Sequence, residues 1–153
     1  MKLKSFRGRL TPQSGLSASQ LAQERIKLST NKGLIGYRVN KLQIITAKPG
    51  KGTTTEFVVK IFTQKQTSVD GDIDFTNPVL LGVAYETDST SGDNPTSQTI
   101  IFDTAKFNQD IYVTAQDNSG GSNDVNYYIE LEQVKLDVTE ATVATLKDMR
   151  GRE

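Results

Sequence analysis

Three groups of side chains in this 153-residue chain have types and spacings that could do chemistry. Asp70, Asp72 and Asp74 alternate along one short stretch, and alternate carboxylates can converge on a hard cation such as calcium. The spacing argues against that. A calcium loop of the EF-hand kind opening at Asp70 wants glycine at 75 and glutamate at 81, where the chain has Phe75 and Leu81, so a solvated turn is the better reading. Glu130 and Glu132 stand two residues apart and share one face of a strand, which invites comparison with the carboxylate pair of glycoside hydrolysis. Catalytic acids flank a cleft and one of them is desolvated; a wet outer face suits this pair better. Tyr85, Tyr112 and Tyr128 could form a platform for sugars or bases, against the commoner fate of aromatics, burial in the core or its rim. The glycines at Gly33-x-x-Gly36, Gly50-x-Gly52 and Gly120-Gly121 lack the strand-loop-helix setting of a phosphate cradle and read as turn residues.

What the chain lacks narrows the chemistry further. It has no histidine and no cysteine, which removes histidine-based triads, zinc hydrolases, thiolate metal sites and disulfides. The expectation is a protein that is not an enzyme and uses no metal or cofactor. No apolar run has the length of a signal peptide or a membrane span, so no membrane contact is expected.

Charge is the strongest global signal. The net charge is +0, yet residues 1–51 hold eleven of the eighteen basic groups against Glu24 alone, leaving seven basic and seventeen acidic groups for residues 52–153. Such asymmetry suggests opposed partners, or a basic part that folds against an acidic one within the monomer. Lys2, Lys4, Arg7 and Arg9 fall in residues 1–16, where Leu3, Phe6 and Leu10 are the only large apolar groups between Met1 and Leu16. These residues read as a basic flexible arm that could lie on a neighbouring subunit or on packaged nucleic acid.

Residues 17–150 read as a single domain. Ser17 to Arg25 suits a helical turn, and Arg25 to Ser29 a half-buried strand. Ile35–Thr46 switches its apolar parity midway, the mark of a bulge or a change of sheet. Thr54–Thr63 is apolar on both faces and so central, while Ile73–Phe75, Val79–Tyr85 and Thr99–Phe102 are short strands and 88–98 is a long loop. Asp110–Gln116 and Val125–Leu136, joined by a loop of Asp, Asn, Ser and Gly, look like the arms of one β-hairpin spanning Phe107 to Asp137. Its outer face would carry Tyr128, Glu130 and Glu132 as an acidic surface. A capping-box-like start at Asp137 and a stripe of Val138, Ala141, Leu146 and Met149 predict a short C-terminal helix, with Gly151 as its C-cap. The fold class is therefore all-β: an antiparallel, jelly-roll-like β-sandwich of about eight strands.

Five stretches carry a family likeness: Asn31-Lys-Gly33, Gly36-Tyr-Arg38, Phe107-Asn-Gln-Asp-Ile-Tyr-Val-Thr114, Asn126-Tyr-Tyr-Ile-Glu-Leu-Glu-Gln133 and Ala144-Thr-Leu-Lys-Asp-Met-Arg150. Over most of residues 25–150 the combination resembles small β-rich virion structural proteins of marine bacteriophages. The resemblance implies a capsid or capsid-decoration subunit, assembled in the host cytoplasm into the virion, with copies of itself and other virion proteins as partners. A non-catalytic carbohydrate-binding or adhesion module is the alternative expectation.

Overall fold

The computed structural model describes residues 2–12, 22–28, 34–49, 54–88, 96–102, 104–119 and 123–150. These form strands β1 (Lys2–Leu10), β2 (Gln23–Ile26), β3 (Ile35–Thr46), β4 (Thr55–Phe62), β5 (Leu80–Asp88), β6 (Thr96–Ile101), β7 (Ile111–Asp117) and β8 (Val125–Lys135), closed by helix α1 (Val138–Arg150). All strand pairs are antiparallel. They build a small sheet in the order β1-β8-β3 and a larger one in the order β2-β7-β4-β5-β6. One core fills the space between: Tyr37, Val39, Leu42, Ile129 and Leu131 of the small sheet meet Phe57, Val59, Ile61, Ile111 and Val113 of the large one. The molecule is an antiparallel β-sandwich, as period-two alternation demands when one face of each sheet is buried.

Two sequence signals translate directly. The parity switch in β3 is a register shift between Val39 and Lys41 against β8; the extra residue, Asn40, lets Tyr37, Val39 and Leu42 all reach the core. β4, apolar on both faces, lies between β7 and β5. Its outer residues Val58, Lys60 and Phe62 are buried along with its inner ones, because the segment from 63 to 79 lies across that side of the sheet.

Several expectations are corrected. Residues 2–10 are no flexible arm: β1 pairs with β8 from Lys2↔Gln133 to Leu10↔Val125, burying Leu10 and half-burying Phe6. Two apolar side chains on one face of the strand are enough when a neighbouring strand offers an edge. Gln23 to Arg25, expected to end a helical turn, open β2; residues 17–21 lie outside the described residues. The proposed hairpin is not one. β7 sits between β2 and β4, β8 between β1 and β3, so the loop after Asp117 passes from one sheet to the other. A strand has only two edges, and both edges of each are taken. Ile73–Phe75 is loop, because Asp74 draws the N–H groups of Thr76 and Asn77 to its side chain and carbonyl in a local turn. Of the long loop, Thr96 to Gln98 belong to β6 and 89–95 lie outside the described residues.

Candidate functional site

The N-terminal cations and the Glu130–Glu132 pair lie on the small sheet, and strand register decides how they meet. Leu3, Glu132 and Arg38 form one row across β1, β8 and β3; Ser5, Glu130 and Lys41 the next; Arg7, Tyr128 and Gln43 the third. Tyr128, Glu130 and Glu132 do share the outer face. That face is not acidic alone, however, because β1 and β3 set Arg7, Arg38 and Lys41 in the rows of Tyr128, Glu132 and Glu130. Arg38 grips Glu132 through Nε at 2.7 Å and Nη2 at 2.6 Å. Glu130 accepts from Asn40 Nδ2 at 2.8 Å and from the Tyr128 hydroxyl at 3.3 Å, while Lys41 Nζ stands 6.0 Å from the Tyr128 ring. Two carboxylates on one strand face, each paired with neighbouring groups, lack the opposed geometry of a glycosidase site.

The four N-terminal cations do not form one patch. Arg7 and Arg9 lie on the outer face with Tyr128 and Asn126, whereas Lys2 and Lys4 have the opposite parity, and Lys4 Nζ reaches the Tyr37 hydroxyl at 3.4 Å. Arg9 binds Asp124 through Nε at 2.7 Å, and the Thr11 hydroxyl donates to the same carboxylate at 2.6 Å. The Thr11 hydrogen bond, with Arg9 beside it, holds the Asp124 carboxyl below its ordinary range.

Asp70, Asp72 and Asp74 line a polar pocket of about 190 Å³ under the 63–79 segment, and the cation there is the protein's own. Lys60, its side chain 8% exposed, donates to Asp70 Oδ1 at 3.0 Å and to the Asp72 carbonyl at 2.7 Å. Burial raises the Asp70 pKa, and the Lys60 hydrogen bond and charge outweigh it, leaving Asp70 lowered. Among the described residues no group of three or more acidic side chains is placed to hold a metal ion. Lys60 is a residue sequence reasoning passed over. Its signal was there: a single cation in an otherwise apolar stretch from Phe57 to Phe62 must find a partner when both strand faces are covered.

The tyrosines are divided. Tyr85 and Tyr112 lie on the outer side of the large sheet, in register with Val58 and Phe62, and Tyr128 on the outer side of the small one. No platform joins the three.

A second cleft, of about 680 Å³, separates α1 from the sandwich and is lined by Val79, Leu81, Phe107, Leu136, Val143 and Ala144 among others. Asn108 and Gln64 hold the helix across it: Asn108 Nδ2 donates to Thr145 Oγ1 at 3.0 Å, and Gln64 Nε2 to the Asp148 carbonyl at 2.5 Å. The volume would admit a small molecule, but the named polar side chains are spent on positioning the helix. Among the described residues no helix is long and apolar enough to cross a membrane. Compared with known protein families and with characterised proteins, the sequence matches none.

Proposed function

We propose that this chain is a virion structural protein, a subunit or decoration component of a phage capsid shell, working through repeated protein-protein contacts, and that its sandwich is a jelly roll. The observation that carries the reading is strand order. A long antiparallel hairpin of eight strands pairs first with eighth, second with seventh, third with sixth and fourth with fifth; rolled up, it places 1-8-3-6 in one sheet and 2-7-4-5 in the other, the winding used by many capsid domains. Here β1-β8-β3 and β2-β7-β4-β5 follow that order, and β6 alone departs from it by staying with β5. The fold does not define a function by itself. The outer face of the small sheet adds to it: with Arg7, Lys41 and exposed Tyr128, Leu3 and Ile45, it offers a patterned surface for a neighbouring virion protein. With Lys2 and Lys4 turned away from Arg7 and Arg9, subunit contact is a better use of β1 than packaged nucleic acid. The glycan alternative would have to use the tyrosines separately, Tyr85 and Tyr112 on the large sheet or Tyr128 on the small one.

The test is the protein content of purified phage particles from cells that produce the chain. It is expected as a repeated component at fixed stoichiometry, accessible to antibody on intact particles if it decorates the shell. Particles that contain none of it overturn the reading.

A further inference from the structure

An open sheet ends in rows of unpaired N–H and C=O groups ready to accept another strand, and proteins protect such edges with charge, proline, bulges or brevity. Four strands occupy edges here, β1 and β3 in the small sheet and β2 and β6 in the large one. β1 carries Lys2, Lys4, Arg7 and Arg9. β3 is bulged at Asn40, carries Arg38 and Lys41, and exchanges bonds of 2.8 and 2.9 Å between Tyr37 and Phe107 near its start. β2 is four residues long and contains Glu24 and Arg25. β6 has none of these devices. Thr96-Ser-Gln-Thr-Ile-Ile101 holds no charge and no proline, runs without a register shift against β5, and is exposed from Thr96 to Ile100. Ile100, 45% exposed, stands on its outer side across from buried Val83.

We propose that β6 is the contact edge of a homodimer, in which a second copy adds its own β6 antiparallel across a two-fold axis normal to the sheet, joining two five-stranded sheets into one of ten strands. The occupant follows from charge. A strand with no ionised side chain meets no like charge when it pairs with itself, whereas β1 against β1 would set cations beside cations. The axis fixes the register. Thr96, Gln98 and Ile100 face outward and must do so in both copies, so the axis passes through a residue and not between two; centring it on Gln98 pairs all five exposed residues from Thr96 to Ile100, puts Ile100 against the partner's Thr96 and leaves half-buried Ile101 in its own core.

Sedimentation of the full chain over a wide concentration range tests this, with circular dichroism to show that each variant is folded. A short strand pair is a small interface, so a dimer with Kd on the order of 1–100 μM is expected. Gln98→Lys and Gln98→Glu each place two like charges at the axis and should each weaken dimerisation at least ~10-fold, while their equimolar mixture restores a dimer of one copy of each. Wild-type protein that stays monomeric at ~1 mM overturns the proposal by the same affinity scale. So does a dimer that both variants leave intact, or a mixture that fails to pair. No virion component enters the experiment, so its failure and the failure of the shell reading are separate outcomes.

Discussion

Gly8 and Tyr127 show how one residue's absence of a side chain fixes another's position. A Cβ at position 8 would lie 2.5 Å from the Tyr127 hydroxyl and 2.6 Å from its ring, and that ring is buried and bonded through its hydroxyl to Glu24 on the opposite sheet. Burial and the Glu24 carboxylate push the phenol well above its ordinary range. Gly8→Ala should therefore cost about 1–3 kcal/mol by overpacking, read as a lower urea midpoint at unchanged slope. A wild-type midpoint would mean that the ring moves freely. Glu86 carries a different signature. Burial raises its pKa from the ordinary 4.5, and the Thr46 backbone bond only partly opposes this. Because the folded-state pKa is the higher one, the associated stability is full below the unfolded value and is lost as pH rises through the folded value. Glu86→Gln should then melt above wild type at pH 7 and converge with it below about pH 4. A difference that persists unchanged in acid would assign the effect to packing. Asp70, Asp74 and Asp124 run oppositely: their pKa values are lowered, so their contribution is present at neutral pH and lost in acid.

At the scale of elements, the helix start is the cleanest case. Asp137 Oδ1 accepts from the Glu140 N–H at 2.7 Å, as an N-cap does, and Asp137→Ala should cost about 1 kcal/mol in a denaturant titration. An unchanged midpoint would show that packing alone holds the helix. Its existence was legible; of the expected stripe Val138, Ala141, Leu146 and Met149, Ala141 is buried, Val138 and Leu146 are not, and the Met149 side chain lies outside the described residues. Ala141, Thr145 and Asp148 face the sandwich, because α1 is anchored by hydrogen bonds from Asn108 and Gln64 rather than by an apolar stripe. The same limit explains the hairpin. Alternation in 110–116 and 125–136 identified two strands, found at Ile111–Asp117 and Val125–Lys135, but local pattern says which face is buried, not which neighbour is paired. Residues 2–10 failed for a related reason: their own composition is too polar to bury much, and the edge of β8 that orders them is distant in sequence, Leu10 pairing with Val125 and Lys2 with Gln133. Removing Lys2 to Leu10 uncovers that edge and loses the burial of Leu10 and part of Phe6, at about 1.5–3 kcal/mol per fully buried large side chain. The truncated chain should unfold at markedly lower urea and exchange its β8 amides faster. If it keeps the wild-type midpoint, β1 is not an integral strand.

At the scale of the whole molecule, part of the charge asymmetry is met within one copy. Three ion pairs, Arg9–Asp124, Arg25–Asp110 and Arg38–Glu132, each join a cation of the first third to a carboxylate of the remainder within one copy. The arginines are 55%, 53% and 41% exposed, so solvent screens each pair and each is weak by itself. Raising sodium chloride from ~0.01 to ~1 M, where screening acts over ~3 Å, should lower the melting temperature by a few degrees. The β6 dimer offers the contrast. Its edge is uncharged, so the same salt should leave its mass in sedimentation unchanged or favour it slightly through the apolar area around Ile100. If salt instead dissociates a dimer while the melting temperature holds, the opposite charges of the two parts are meeting between copies, and the contact lies on the small sheet rather than on β6.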